Sequence, residues 1–256
     1  MKIFPSVKTL VALSLLGGSL ATGAASAATC VTGSSGETPL QGILDNITLG
    51  GPSSVNTLTD CIDDSSDSSW AISGSGLSGL TLIIELAGNA STNSFGVYDT
   101  ANMDNKVELF DGAASAGNQV VMTILADGSV ITNVAVDSGV NFTGNNFGFY
   151  LDTASNGTFY SDTPLNLDTT DHMLAYRGTG DVVQLPGLAA GTWTPNEFVL
   201  AWEDVSGSRG ADFDFNDFVV MVESVEPTVV PVPASIWLFS SALLGLVGVA
   251  RRKKSR

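Results

Sequence analysis

Positive charge is almost missing from the body of this chain. Lys2 and Lys8 stand near the N-terminus, and Arg251, Arg252, Lys253, Lys254 and Arg256 at the C-terminus; only Lys106, Arg177 and Arg209 lie between. All 26 acids fall from Glu37 to Glu226, so the middle sets three cations against 26 anions, a net of −23. Such a surface repels phosphate backbones and excludes nucleic-acid binding; its natural partners are cations. Histidine is nearly absent, His172 being the single one. There is also no G-x-S-x-G elbow, so nothing assembles a Ser–His hydrolase. His172 beside Asp171 reads as a loop or strand-start residue. Long helical periods are lacking between the two ends, which excludes a helix bundle. Cysteine is scarce too: Cys30 and Cys61 are the only two.

What is present begins with two apolar ends. Lys2 and Lys8 precede the run LVALSLL, and Ala25-Ser26-Ala27 offers a small-residue cleavage site. This is the pattern of a secretory signal peptide over residues 1–27, with Ala25 and Ala27 as the small residues of the cleavage site and the mature chain starting at Ala28. An uncleaved anchor is the alternative. At the other end, residues 234–250 form an uncharged apolar stretch with Trp237 near one edge, followed directly by RRKKSR. As a helix it spans about 25 Å, close to a hydrocarbon core of about 30 Å. The basic tail marks the cytoplasmic side and puts the acidic middle outside.

Export gives the cysteines an oxidising compartment, so Cys30 and Cys61 are expected to pair; two free thiols are the alternative. Thr38-Pro39-Leu40-Gln41 looks like a capping box with Pro at the first helical position, and Leu40, Ile43, Leu44 and Ile47 follow at helical spacing. Residues 63–69 read as an acidic, serine-rich loop. Gly74, Gly76 and Gly79 spell G-x-G-x-x-G but precede a strand, so they read as loop glycines and not as a dinucleotide site.

From residue 80 the pattern is strands. Apolar, β-branched or aromatic runs occupy residues 80–86, 106–110, 119–125, 130–136, 147–151, 173–177, 197–202 and 218–225. Asp127-Gly128 suits a two-residue hairpin turn. The expectation is an all-β fold, an antiparallel β-sandwich that is jelly-roll-like, with one small N-terminal helix. The organisation expected is a signal peptide (1–27), a disulfide-closed segment (28–79), the sandwich (80–226), and a C-terminal signal (227–256) with its 234–250 transmembrane helix.

The sharpest chemical constellation is Glu203-Asp204, a Gly/Ser turn, then Asp212-Phe213-Asp214-Phe215-Asn216-Asp217. In an extended backbone, Phe213 and Phe215 would anchor inward while Asp212, Asp214 and Asn216 converge outward. Clustered oxygens are what Ca2+ takes, six to eight of them at about 2.3–2.6 Å. Asp212, Asp214, Asn216 and Asp217, with Asp204 or Glu203, are the candidate ligands. Asp212, Asp214, Asn216 and Glu223 also fall at EF-hand positions, but Asp217 stands where the sharp-turn glycine belongs, so an EF-hand is rejected. A cluster of Asx-turns that merely orders a loop is the other reading. Trp70, Trp193 and Trp202 could stack on sugar rings or sit in the core.

Two resemblances add to this. Val230-Pro231-Val232-Pro233, the apolar stretch, and Arg251, Arg252, Lys253 and Lys254 together resemble the PEP-CTERM sorting signal over about the last 27 residues. Val232 stands where that family's tripeptide has Glu. The resemblance implies a bacterial protein exported through the inner membrane and held transiently by its C-terminal helix. An exosortase, a membrane protease-transpeptidase, would then process it near the Pro-containing motif. A plain anchor is the alternative. Ala201-Trp202-Glu203-Asp204 with Asp212-Phe213-Asp214-Phe215-Asn216-Asp217-Phe218 resembles the closing motif of the bacterial extracellular family catalogued as domain of unknown function 4114. Phe95-Gly96-Val97-Tyr98-Asp99, Phe147-Gly148-Phe149-Tyr150-Leu151-Asp152 and Asp171-His172-Met173-Leu174 are similar to further stretches of that family, over about residues 80–226. It implies an exported β-rich module and no known activity.

The resulting expectation is a non-enzymatic structural or adhesive protein of the cell surface or exopolysaccharide matrix, stabilised by calcium. A glycan-binding module using exposed aromatics, or a carbohydrate-active enzyme with paired carboxylates, are the alternatives.

Overall fold

The computed structural model describes residues 30–34, 36–74, 76–85 and 90–228. The expected signal peptide with Ala25 and Ala27, and the sorting motif from Val230 with its 234–250 helix and basic tail, lie outside the described residues. Among the described residues, no helix is long and apolar enough to cross a membrane.

Helices α1 (Leu40–Ile47) and α2 (Asp64–Asp67) precede the strands. The strands are β1 (Trp70–Ile72), β2 (Ser78–Glu85), β3 (Ser94–Asp99), β4 (Asn102–Phe110) and β5 (Gln119–Ile124). Then come β6 (Ser129–Thr132), β7 (Val136–Asn141), β8 (Asn146–Thr153), β9 (Gly157–Tyr160) and β10 (Met173–Arg177). Last are β11 (Val182–Val183), β12 (Gly191–Thr192), β13 (Glu197–Trp202), β14 (Phe218–Glu223) and β15 (Val225–Pro227). Of the two large sheets, one runs β15-β1-β8-β3-β4, with β9 paired to β8, and the other runs β10-β13-β14-β2-β5-β6-β7; β11 and β12 form a separate two-stranded ribbon. Every pairing is antiparallel, and the two sheets make the expected sandwich.

Aromatic contacts join the sheets across the core. Phe95 of β3 stacks on Phe218 of β14 at 5.0 Å between ring centroids, and Trp70 of β1 meets Phe198 of β13 edge-on at 5.0 Å. The outer face of β10, β13 and β14 is covered as well. Leu40, Ile43, Leu44 and Ile47 of α1 pack there with Leu174, Val199, Ala201, Val219 and Met221. Strands buried on both faces need no polar alternation, and this is why 197–202 and 218–223 read as unbroken apolar runs.

Several local expectations change. The capping box does not form: Pro39 occupies the N-cap position without a side-chain bond. Gln41 turns away instead. Its Nε2 donates to Asp45 Oδ1 and the Val55 carbonyl, and its Oε1 accepts from the Thr57 N–H. Residues 130–136 are not one strand; the chain reverses at Asn133 and Val134, both with positive φ, and Thr132 pairs with Val136. Asp127-Gly128 sits in a three-residue loop closed by the Leu125 N–H on the Ser129 carbonyl, with Gly128 at φ +90°. The 218–225 run breaks at Ser224 (φ 61°), where the chain leaves one sheet for the other. Trp70–Ile72 pairs with β8 and β15, so the sandwich starts at Trp70 and not at residue 80.

Candidate functional site

The site grows out of the register of β13 on β14. Trp202 opposite Phe218 is the last pair of that hairpin. The next residues outward, Glu203 and Asp217, therefore leave the sheet edge side by side, and residues 203–217 form a long loop over this end of the sandwich. The Asp204 N–H donates to Asp217 Oδ2 at 3.0 Å and closes the base of the loop. A 3-10 turn, Gly207–Arg209, ends at Gly210 with φ +98°. Arg209 reaches across to the Ser155 carbonyl and to Asn156 Oδ1.

The expected extended run over 212–216 is not what forms. Phe213 and Phe215 both adopt left-handed backbone, at φ 53° and 54°. Such conformations cost about 1–3 kcal/mol each for non-glycine residues, so the surroundings must hold them. Phe215 is held by burial beside α1, with Phe213 packed against the same cluster. The N-terminal strap holds Phe213 further: the Gly33 N–H donates to its carbonyl at 3.0 Å. A disulfide between Cys30 and Cys61 ties that strap to the body. The consequence for the acids is that Asp212 is exposed while Asp214 and Asn216 are buried. Asn216 does not point outward as expected. Its Nδ2 donates to Asp214 Oδ2 and to the Thr38 carbonyl, both at 3.0 Å.

The carboxylates nevertheless converge. Oxygen atoms of Glu203, Asp204 and Asp217 lie within 4.8 Å of one another, and so do those of Glu203, Asp212 and Asp214. Two oxygens on opposite sides of one Ca2+ stand about 4.6–5.2 Å apart, so each group fits within the reach of a single ion. Glu203 belongs to both groups. Burial holds its carboxyl well above the usual carboxylate range, and repulsion from Asp217, Asp212 and Asp214 adds to this. Burial likewise raises Asp217, with the charges of Asp204, Asp214 and Asp212 pushing the same way. Asp212 is raised for the same two reasons. Buried carboxylates in mutual repulsion are what a divalent cation relieves. Glu223, the EF-hand-like twelfth position, stands at the far end of β14 opposite Glu197 and Gly79 and takes no part.

Other residues at the site carry no local sequence signal. Asn93, just before β3, donates its Nδ2 to Asp204 Oδ2 at 3.0 Å, and Asn156 Nδ2 donates to the Asp204 carbonyl. Both come from the opposite sheet, so the loop clamps the two sheets together at this end. His172 is fully buried and stacks on Phe159 at 3.8 Å. Its ring nitrogens lie 3.1 Å from the Glu203 carbonyl and 3.1 Å from an Asp168 carboxylate oxygen. It pairs with Asp168, then, and not with its sequence neighbour Asp171. Trp70, Trp193 and Trp202 are all buried, and no Trp or Tyr among the described residues is exposed. The sugar-stacking use of these tryptophans is therefore overturned: they are core residues.

Residues 115–225 match the family model of a domain of unknown function (DUF4114). The DUF4114 match runs from just ahead of β5 to β15 and includes the whole 203–217 loop. It leaves out the strap, α1 and β1–β4, which supply Gly33 and Asn93 to the same site. No curated protein and no solved structure shows significant similarity to the chain.

Proposed function

We propose that this is an exported, non-enzymatic protein of the cell surface or exopolysaccharide matrix, structural or adhesive, whose sandwich is stabilised by Ca2+ at the 203–217 loop. The observation that carries the calcium reading is the shared position of Glu203 in two groups of close carboxylates. Without a divalent ion, burial and mutual repulsion make the ionised form of these carboxyls costly; a bound ion relieves that cost and ties the two sheets at one end. The Cys30–Cys61 disulfide supports an oxidising compartment, in keeping with the signal peptide. Val230, Pro231, Val232 and Pro233, the uncharged apolar stretch 234–250 and the basic cluster at 251–254 are the sequence features that support a transient hold in the inner membrane. An exosortase-type protease would then release the domain towards surface glycans or exopolysaccharide.

Mass spectrometry of the chain recovered from the cell-surface fraction tests the delivery. The reading expects an N-terminus at Ala28 and no peptide beyond residues 231–233. Recovery of the intact basic tail in that fraction would reject processing and leave a simple anchor.

A further inference from the structure

A slot opens on the outer face of the β10–β7 sheet, at the end of β13 and β14 away from the acid loop. Glu197 of β13 stands directly opposite Glu223 of β14, and Glu223 in turn opposite Gly79 of β2. These residues and Met221 form one side of a cavity of about 130 Å3. The ribbon β11–β12 and the turn between its strands form the other, with Val183, Leu185 and Leu188. That wall is fixed to the body. The Gln184 N–H donates to the Ile47 carbonyl at 2.7 Å, and Gly117 abuts Pro186, where an added Cβ would stand 2.6 Å from the carbonyl oxygen.

Two features of the slot point to one kind of occupant. The first is charge. Like charges directly opposite across an antiparallel pair are destabilising, and no cation of the described residues lines the cavity. Both carboxylates are nevertheless held there. The Thr194 N–H donates to Glu197 Oε2, and Glu223 lies across β2 where a Cβ on Gly79 would stand 2.3 Å from its Oε1. Burial lifts the Glu223 carboxyl above its ordinary range, and the charge of Glu197 adds to this. The second feature is the walls: Val183, Leu185, Leu188 and Met221 are aliphatic. An aliphatic slot with paired carboxylates fits a hydrocarbon stem that ends in a compact cation, and among side chains that is lysine. The body of this chain has no cation to spare for a second copy. Lys106 is engaged by Tyr160 and Tyr150, Arg177 by Phe198 and the Pro195 carbonyl, and Arg209 by Ser155 and Asn156.

We infer that the slot docks a lysine side chain of a different protein, with the stem along Val183, Leu185, Leu188 and Met221 and the ammonium between Glu197 and Glu223. The site is separate from the acid loop and does not depend on the calcium reading. The acidic body draws basic partners from a distance, and the slot selects among them by shape. It is an anchor point in a protein–protein contact, where one charged side chain enters a pocket and the surrounding surface excludes water.

Saturation-transfer nuclear magnetic resonance on the full chain tests this with Nα-acetyl-lysine methylamide as the probe, in NaCl and CaCl2 at a total ionic strength of about 0.15 M. The norleucine analogue keeps the stem without the charge, and methylammonium keeps the charge without the stem. The lysine probe should bind saturably, and both comparators should bind about tenfold more weakly or worse. Glu223→Gln, Glu197→Gln and Leu188→Ser should each weaken the probe to a similar degree, and Asp214→Asn/Asp217→Asn in the acid loop should leave it unchanged. Near-ultraviolet circular dichroism identifies any variant that fails to fold, and the comparison of the three probes on the wild type stands without the variants. Absence of saturable binding, equal binding of methylammonium, or full binding in folded Glu223→Gln overturns the slot. Loss in the acid-loop variant alone assigns the attraction to that loop and overturns the slot as well. Tighter binding of cadaverine than of the lysine probe makes the slot a site for free amines and overturns protein docking.

Discussion

Gly33 lies directly against the backbone of Asp212: a Cβ added at Gly33 would stand 1.4 Å from the Asp212 carbonyl oxygen. No side chain fits there, so the strap and the acid loop are in register only because residue 33 is glycine. Gly33→Ala should therefore push the strap off the loop, at a cost of about 1–3 kcal/mol in stability. Calcium affinity should fall with it, because the backbone that carries Asp212 and Asp214 loses its support. Titration of calcium into the folded variant checks this; unchanged affinity would show that the strap does not order the loop.

The disulfide acts on the same strap. Cys30 and Cys61 are 31 residues apart, and a cross-link closing a loop of this size contributes about 3–4 kcal/mol on the chain-entropy model. Both thiols should resist alkylation until reductant is added. A Cys30→Ser/Cys61→Ser variant should unfold at correspondingly lower denaturant. Full labelling of both thiols in the native exported protein would refute the bridge.

A second acidic neighbourhood sets a pH dependence of its own. Burial pushes the Asp171 carboxyl up to about 7 from its ordinary 3.8, with Asp64 adding repulsion. Asp67, buried at the end of α2, is raised too, by burial and then by the charges of Asp171 and Asp64. Between pH 4 and 7 the folded protein thus holds protons that the unfolded chain has released. Stability in chelator should fall as pH rises through that window, by at most about 1.4 kcal/mol per pH unit for each proton held. Asp171→Asn should flatten the slope. Denaturant midpoints measured across the window decide it; a slope of opposite sign, or one untouched by the substitution, contradicts the assignment.

How much of this was legible follows from where the contacts come from. The runs over 197–202 and 218–223 announced themselves because both of their faces are covered, and Leu40, Ile43, Leu44 and Ile47 because one helical stripe is. Glu203, Asp204 and the 212–217 acids were legible as a charge cluster. Their geometry was not. Phe213 and Phe215 look like alternate residues of an extended chain, yet packing on α1 and the Gly33 contact force them left-handed. Asn93 meets Asp204 across 111 residues of sequence, and only the pairing of the sheets brings them together. His172 and Asp168 escaped for a related reason: the turn at Thr169, with φ 54°, folds the chain back on itself.

Calcium-dependent melting is the most direct test of the central claim. An ion that binds only the folded state at ten times its Kd adds about 1.4 kcal/mol, which raises Tm by about 3–5 °C in a domain of this size. Extracellular sites bind at about 10⁻⁴–10⁻³ M, so ten times Kd is reached at about 1–10 mM CaCl2. The wild type should show that rise over chelator, and NaCl of matched ionic strength should not reproduce it. Asp214→Asn/Asp217→Asn removes one charge from each carboxylate group. In chelator it should melt at or above the wild type, because repulsion is relieved, and it should gain little from calcium. Asp104→Asn, on the exposed edge strand β4, should respond as the wild type does. Equal stabilisation by NaCl and CaCl2, or a full calcium response in the double variant, would contradict the account and leave the loop an acidic turn without an ion.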